Sequence, residues 1–137
     1  MPRVPGLSPP TLMQTILIVD DPRGATRFIR LRLGEQGFRT FSVTLGSDLL
    51  SHVRQVAPDL ILLGLSPADL ASGGVLDLLS READTPVIVV SDGTDSTLTV
   101  RALDLGADDA VVAPFDVFVL GARIRALLRR WAASRGR

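Results

Sequence analysis

Pro58-Asp59-Leu60-Ile61-Leu62-Leu63-Gly64-Leu65-Ser66-Pro67 is the stretch whose reading decides the fold. Leu60 to Leu63 is an unbroken apolar run between Pro-Asp and Ser-Pro, the pattern of a central strand of a parallel sheet covered by helices on both faces. The run stops at Gly64, so Gly64 stands at the carboxyl end of that strand, where open α/β sheets place their sites.

Other segments arrange themselves around this strand. Upstream, Thr15-Ile-Leu-Ile-Val19 reads as a buried strand that stops at Asp20-Asp21-Pro22. Arg23 to Glu35 reads as a helix closed by Gly34 and Gly37, and Phe38 to Thr44 alternates like an edge strand. Leu49, Leu50, Val53 and Val56 give a second helix, capped by Ser47 or Asp48 and stopped before Pro58. Downstream, Ser66 to Gly74 reads as a loop, with Gly73-Gly74 a plain turn. A short third helix through Leu76, Leu78 and Leu79 precedes the apolar strand Pro86-Val-Ile-Val-Val90, which ends at Ser91-Asp92-Gly93. A fourth helix carries Val100 and Leu103 and ends at Gly106. Ala110 to Val112 is a short fifth strand, and a fifth helix carries Val117, Leu120, Ile124, Leu127 and Trp131. Five strands alternating with five helices predict an α/β fold, a parallel sheet with right-handed crossovers between two helical layers.

Composition narrows the function. The chain has 137 residues, 46% of them apolar, enough for one domain. Fifteen arginines balance fifteen acidic residues, lysine and cysteine are absent, and the net charge is zero. That excludes Schiff-base lysines, thiol chemistry and disulfides, and predicts no direct nucleic-acid or membrane binding. No apolar run has the length of a signal peptide or a membrane span, so a cytoplasmic location is expected. Residues 1–14 read as a disordered Pro-rich leader, 15–131 as the folded domain, and 132–137 as a flexible Arg-rich tail or the start of a linker. His52, the single histidine, reads as a surface residue on a helix flank. The arginines at 129, 130, 135 and 137 read as a solvated helix end complementing the dipole.

From Ile16 to Arg130 the chain resembles a bacterial response-regulator receiver domain. The resemblance rests on Ile-Leu-Ile-Val-Asp20-Asp21, Pro58-Asp59-Leu-Ile-Leu-Leu, Pro86-Val-Ile-Val-Val-Ser91, and Gly106-Ala-Asp108-Asp109 followed by Pro114-Phe115. Its ending, Ala122-Arg-Ile-Arg-Ala-Leu-Leu-Arg-Arg130, is similar to the winged-helix transcription-factor subfamily. The resemblance implies a flavodoxin-like (βα)5 sandwich with strand order 2-1-3-4-5. It also implies a site that transfers a phosphoryl group to an aspartate after the third strand, with a divalent cation on an acidic pair, a hydroxyl after the fourth strand and a lysine after the fifth.

Position by position, the acidic pair is Asp20 and Asp21 and the hydroxyl is Ser91. The acceptor position is Gly64, the lysine position Ala113, the small residue after the hydroxyl Asp92, and the aromatic switch position Ala110. The implied reading is a degenerate receiver that takes no phosphate and is not an enzyme. Asp59 is ~16 Å from the strand end and Asp69 lies in the predicted loop, so neither substitutes for the acceptor. No cofactor is expected, and any cation on Asp20 and Asp21 would bind weakly with the third carboxylate gone.

The resemblance further implies a homodimer through the fourth helix, fifth strand and fifth helix. Its centre would be Val100, Leu103 and Ala122, with Val119 and Thr99 replacing a usual charged pair. Asp104, Asp108, Asp109, Arg123 and Arg125 would surround it, Asp109 pairing with Arg123 and Asp104 with Arg125 across the two-fold axis. A dimerising contact module controlling a C-terminal DNA-binding effector or a partner protein is therefore expected. Two other readings stay open. One is a small molecule sensed in the vacated pocket between Asp20, Gly64 and Ser91. The other is an ordinary phosphoacceptor or small α/β enzyme, for which no nucleophile and base converge.

Overall fold

A computed structural model of the chain describes residues 13–20, 26, 28–46, 48–92 and 96–135. The elements run β1 (Thr15–Asp20), α1 (Ile29–Glu35), β2 (Arg39–Thr44), α2 (Leu49–Val56), β3 (Leu60–Leu65), α3 (Pro67–Ser72), α4 (Gly74–Glu82), β4 (Val87–Asp92), α5 (Thr97–Asp104), β5 (Asp109–Ala113) and α6 (Val117–Arg135). All strand pairs are parallel, in the order β2-β1-β3-β4-β5. This is the flavodoxin-like arrangement.

Every residue of β3 is buried. Alternate side chains enter two separate cores, as the two-residue strand period requires. Leu60 and Leu62 join Ile16, Ile18, Ile88 and Val90 beneath α1 and α6, where Leu33, Leu120 and Ile124 close the layer. Ile61, Leu63 and Leu65 join Leu17, Val19, Val87 and Val89 beneath α2, α4 and α5. Each such leucine or isoleucine contributes about 1.5–3 kcal/mol by leaving water. The sheet's position is therefore set from both sides at β3.

Two aspartates fix the amino ends of the strands. The Asp59 backbone N–H donates to Thr15 O at 2.8 Å while its carboxylate accepts from Thr15 N at 2.7 Å. Asp108 does the same to Val87, at 2.8 Å in both directions. Each carboxylate thus satisfies the first N–H of a strand lying beside its own. Asp108 makes this bond at the edge of the sheet away from Gly64, and its side chain is exposed.

Several predicted boundaries change. The predicted loop from Ser66 to Gly74 is a helix, α3. Ser66 Oγ accepts from Asp69 N at 3.1 Å and Pro67 takes the first helical position, where its missing N–H costs nothing. Gly73 then ends α3 and opens α4 with φ +72, and a Cβ there would lie 3.1 Å from Leu105 Cδ2. There are consequently six helices among the described residues, and the predicted fourth and fifth are α5 and α6. Gly34 lies inside α1 rather than closing it. Most of the expected start of α1 falls outside the described residues. Asp48 occupies the N-cap of α2 with no side-chain cap bond, while Ser47 lies outside the described residues. Pro58 disfavours helix at Ala57, which closes α2 with φ 49. On α5 the fully buried residue is Ala102, whereas Val100 and Leu103 face outward.

Candidate functional site at the carboxyl edge of the sheet

Register places the candidate residues. Val19 lies beside Leu63, so the next residues on each strand, Asp20 and Gly64, are neighbours at the carboxyl edge. Gly64 pairs in turn with Val90, Leu65 with Ser91, Ser91 with Val112, and Asp92 with Ala113. The structure thus brings Asp20, Gly64, Ser91, Asp92 and Ala113 to one rim. Ala110 lies lower, beside Val89, and packs on the core under α2, α4 and α5. It is not brought to the rim. Asp21 lies outside the described residues.

Strand alternation separates the two β4 groups. Val90 belongs to the core under α1 and α6 and Val89 to the other, so Asp92 follows the side of Asp20 and Gly64, and Ser91 the opposite side. Asp20 is half-buried, and its Oδ1 accepts from the Thr26 hydroxyl at 2.8 Å. Thr26, 1% exposed, was not singled out from the sequence because no helical or strand period marks it. Ser91 is 2% exposed, and among the described residues its hydroxyl donates only a long 3.4 Å bond to Asp92 O. Gly64 and Ala113 bring no functional group to the rim.

A hard divalent cation wants six or more oxygens. The described rim supplies the carboxylates of Asp20, already engaged by Thr26, and Asp92. No cluster of three acidic or histidine side chains able to hold a metal forms among the described residues. Asp59 sits at the opposite edge, as expected, and Asp69 is in the first turn of α3.

The proposed dimer face is only partly assembled. Val100, Leu103 and Val119 are 58%, 45% and 49% exposed, and Ala122 is exposed beside them on α6. Asp109 and Arg123, expected to pair between two copies, form an ion pair at 3.1 Å within one chain. Arg125 is turned away. Two residues on a helix are ~200° apart, and Arg125 instead donates to Gln36 Oε1 at 3.3 Å, beside α1. Asp104 lines a groove of about 480 Å³ with Pro67, Thr97, Leu98, Val100 and Arg101, between α3 and α5.

Residues 16–125 match the sequence model of the response regulator receiver domain. The chain belongs to that family. Among curated receiver-containing relatives, it is 36% identical over 122 residues to the transcriptional regulatory protein KdpE of Mycobacterium tuberculosis, covering 89% of this chain and 54% of the relative. It is 37% identical over 120 residues to the DNA-binding response regulator MtrA of Mycolicibacterium smegmatis, covering 88% of this chain and 53% of the relative. The chain spans about half the length of these relatives. A response regulator of Thermotoga maritima has the same receiver fold, with a TM-score of 0.74 and 23% identity over 86% of this chain and 99% of that one. Among the described residues no helix is long and apolar enough to cross a membrane.

Proposed function

We propose that this receiver domain signals without phosphorylation, as a contact and dimerisation module regulating a DNA-binding effector. The observation that carries the reading is Gly64. It occupies the rim position beside Asp20 where a receiver presents its acceptor aspartate, and a glycine has no group to accept a phosphoryl. Ala113, in the position of the family's lysine, supplies no charge to balance an acyl phosphate. Phosphoryl transfer needs positioning and charge neutralisation together, and this rim lacks both groups. The names of KdpE and MtrA support the link to transcription and DNA binding.

Dimerisation would use the outward apolar residues of α5 and α6. Val100, Leu103 and Val119 carry the affinity, because exposed ion pairs such as Asp109–Arg123, which is closed within one chain, contribute only ~0–1 kcal/mol. Sedimentation equilibrium at low micromolar concentration tests this. The unmodified chain is expected to be a dimer, and Leu103→Arg is expected to weaken it at least tenfold. A monomeric unmodified chain would remove the dimer from the account.

A second reading has one observation in its favour. Ser91 is a buried rim hydroxyl with only a long bond among the described residues, so it retains capacity for a small molecule, reached from the side of β4 opposite Asp20 and Gly64. A saturable rise in melting temperature with a metabolite, abolished by Ser91→Ala, would favour that reading.

A further inference from the structure

Net neutrality conceals a separation of charge. Residues 117–137 contain six arginines and no acidic residue, whereas residues 1–116 contain nine arginines against fifteen acidic residues. The chain is thus +6 over its last helix and tail and −6 over everything before. Asp116, the last acid, is held at the start of α6, where its Oδ1 accepts from Phe118 N at 2.7 Å.

The fold concentrates this charge on one side. α1 and α6 cover the same face of the sheet. Arg30 on α1 and Arg125, Arg129 and Arg130 on α6 are exposed, and Arg30, Arg129 and Arg130 have no ion pair or hydrogen bond among the described residues. Among the described residues Arg125 bonds only the neutral Gln36, which does not cancel its charge. Arg125 and Arg129 are four residues apart, one turn and about 6 Å along the helix, and Arg130, seven residues from Arg123, extends the charge around the outer side of α6 toward Arg123. Across the sheet, Arg81 on α4 is compensated by Asp77 at 3.1 Å.

We propose that the α1–α6 face binds the phosphate backbone of duplex DNA, without sequence selectivity. Guanidinium groups fork onto phosphate oxygens, and an array of them releases condensed counterions. A lipid surface fits less well. On α6 Leu120, Ile124, Leu127 and Leu128 are buried in the core, and Phe118 and Val119 are exposed only in its first turn, two to three turns before Arg129 and Arg130, which Ala132, Ala133 and Ser134 accompany; Phe28 and Leu31 are the exposed apolar residues at α1. An interfacial helix needs that apolar face for the bilayer. The expectation of no nucleic-acid contact rested on the total charge, which averages the two halves away. This proposal goes beyond the phosphorylation-independent reading and does not depend on it.

The test is fluorescence anisotropy of the whole chain with a labelled random-sequence duplex. Four phosphate contacts predict micromolar binding at about 50 mM salt, weakened about 100-fold at about 200 mM. Arg129→Glu with Arg130→Glu should weaken binding at least tenfold. Arg54→Glu with Arg81→Glu, the same charge change on the α2 and α4 side, should have much less effect. If the first pair fails to fold, Arg129→Ala with Arg130→Ala removes the charge without adding repulsion. Absence of binding at low salt would overturn the proposal, as would equal losses in both pairs. So would binding of phosphatidylserine vesicles that duplex DNA fails to compete. An oligomer dissolved by the α6 reversal without DNA would reassign the face to a second copy.

Discussion

Gly64→Asp is expected to destabilise the domain by about 2–4 kcal/mol at pH 7, a fall of about 8–15 °C in melting temperature. The new carboxylate would enter a buried strand position beside Asp20. Burial and the neighbouring negative charge both disfavour its ionised form, so its folded-state pKa lies above the unfolded value of about 3.9. The sign of the pH dependence follows. Below about pH 4 the group is neutral in both states and the deficit is small. As pH rises toward the elevated folded pKa the deficit grows, then levels off. Thermal melts of the unmodified and substituted chains across that range check this. A deficit independent of pH would mean that the cost is steric and that Asp20 is not its electrostatic neighbour.

Gly106→Ala is the second large effect, expected to cost about 2 kcal/mol or more. Gly106 lies between α5 and β5 with φ +112, a conformation that side-chain-bearing residues rarely adopt. A Cβ there would also stand 2.9 Å from Ser80 Oγ and 3.1 Å from Ser80 Cβ. The hydroxyl can rotate away, but the Ser80 Cβ moves only with α4. Loss is therefore expected even in Gly106→Ala with Ser80→Gly, which removes the contact and leaves the backbone strain. A melting temperature unchanged in Gly106→Ala would show that the turn relaxes freely.

The fold was legible because its decisive signals are local. An all-apolar run bounded by prolines cannot be a half-exposed strand, and the order of strands and helices leaves few parallel topologies. The α3 helix was missed although Ser66-Pro67-Ala68-Asp69 carries its start signal, a capping serine and a proline at the first position. The paired glycines at 73 and 74 drew attention to turn chemistry instead, and Gly73 proves to be the joint between two helices. Arg125 was grouped with Arg123 by sequence proximity, although helical geometry puts residues two apart on different sides. The bond from the Val87 N–H to Asp108 was not legible, because sheet pairing alone brings the two together. Thr26 had no legible signal, since its value lies in its bond to Asp20, six residues earlier in the chain. The basic helix was fully legible, because no acidic residue follows Asp116, but the neutral total obscured it.

The central claim concerns the missing acceptor, and acetyl phosphate challenges it most directly. The whole chain would be incubated with acetyl phosphate and magnesium, beside a phosphorylatable receiver in the same tube, and read by intact mass at neutral pH. The account predicts a mass gain of one phosphoryl group on the reference receiver and none on this chain. A stoichiometric gain on this chain, removed by hydroxylamine as an acyl phosphate would be, would show that another carboxylate replaces the position of Gly64 and would contradict the account.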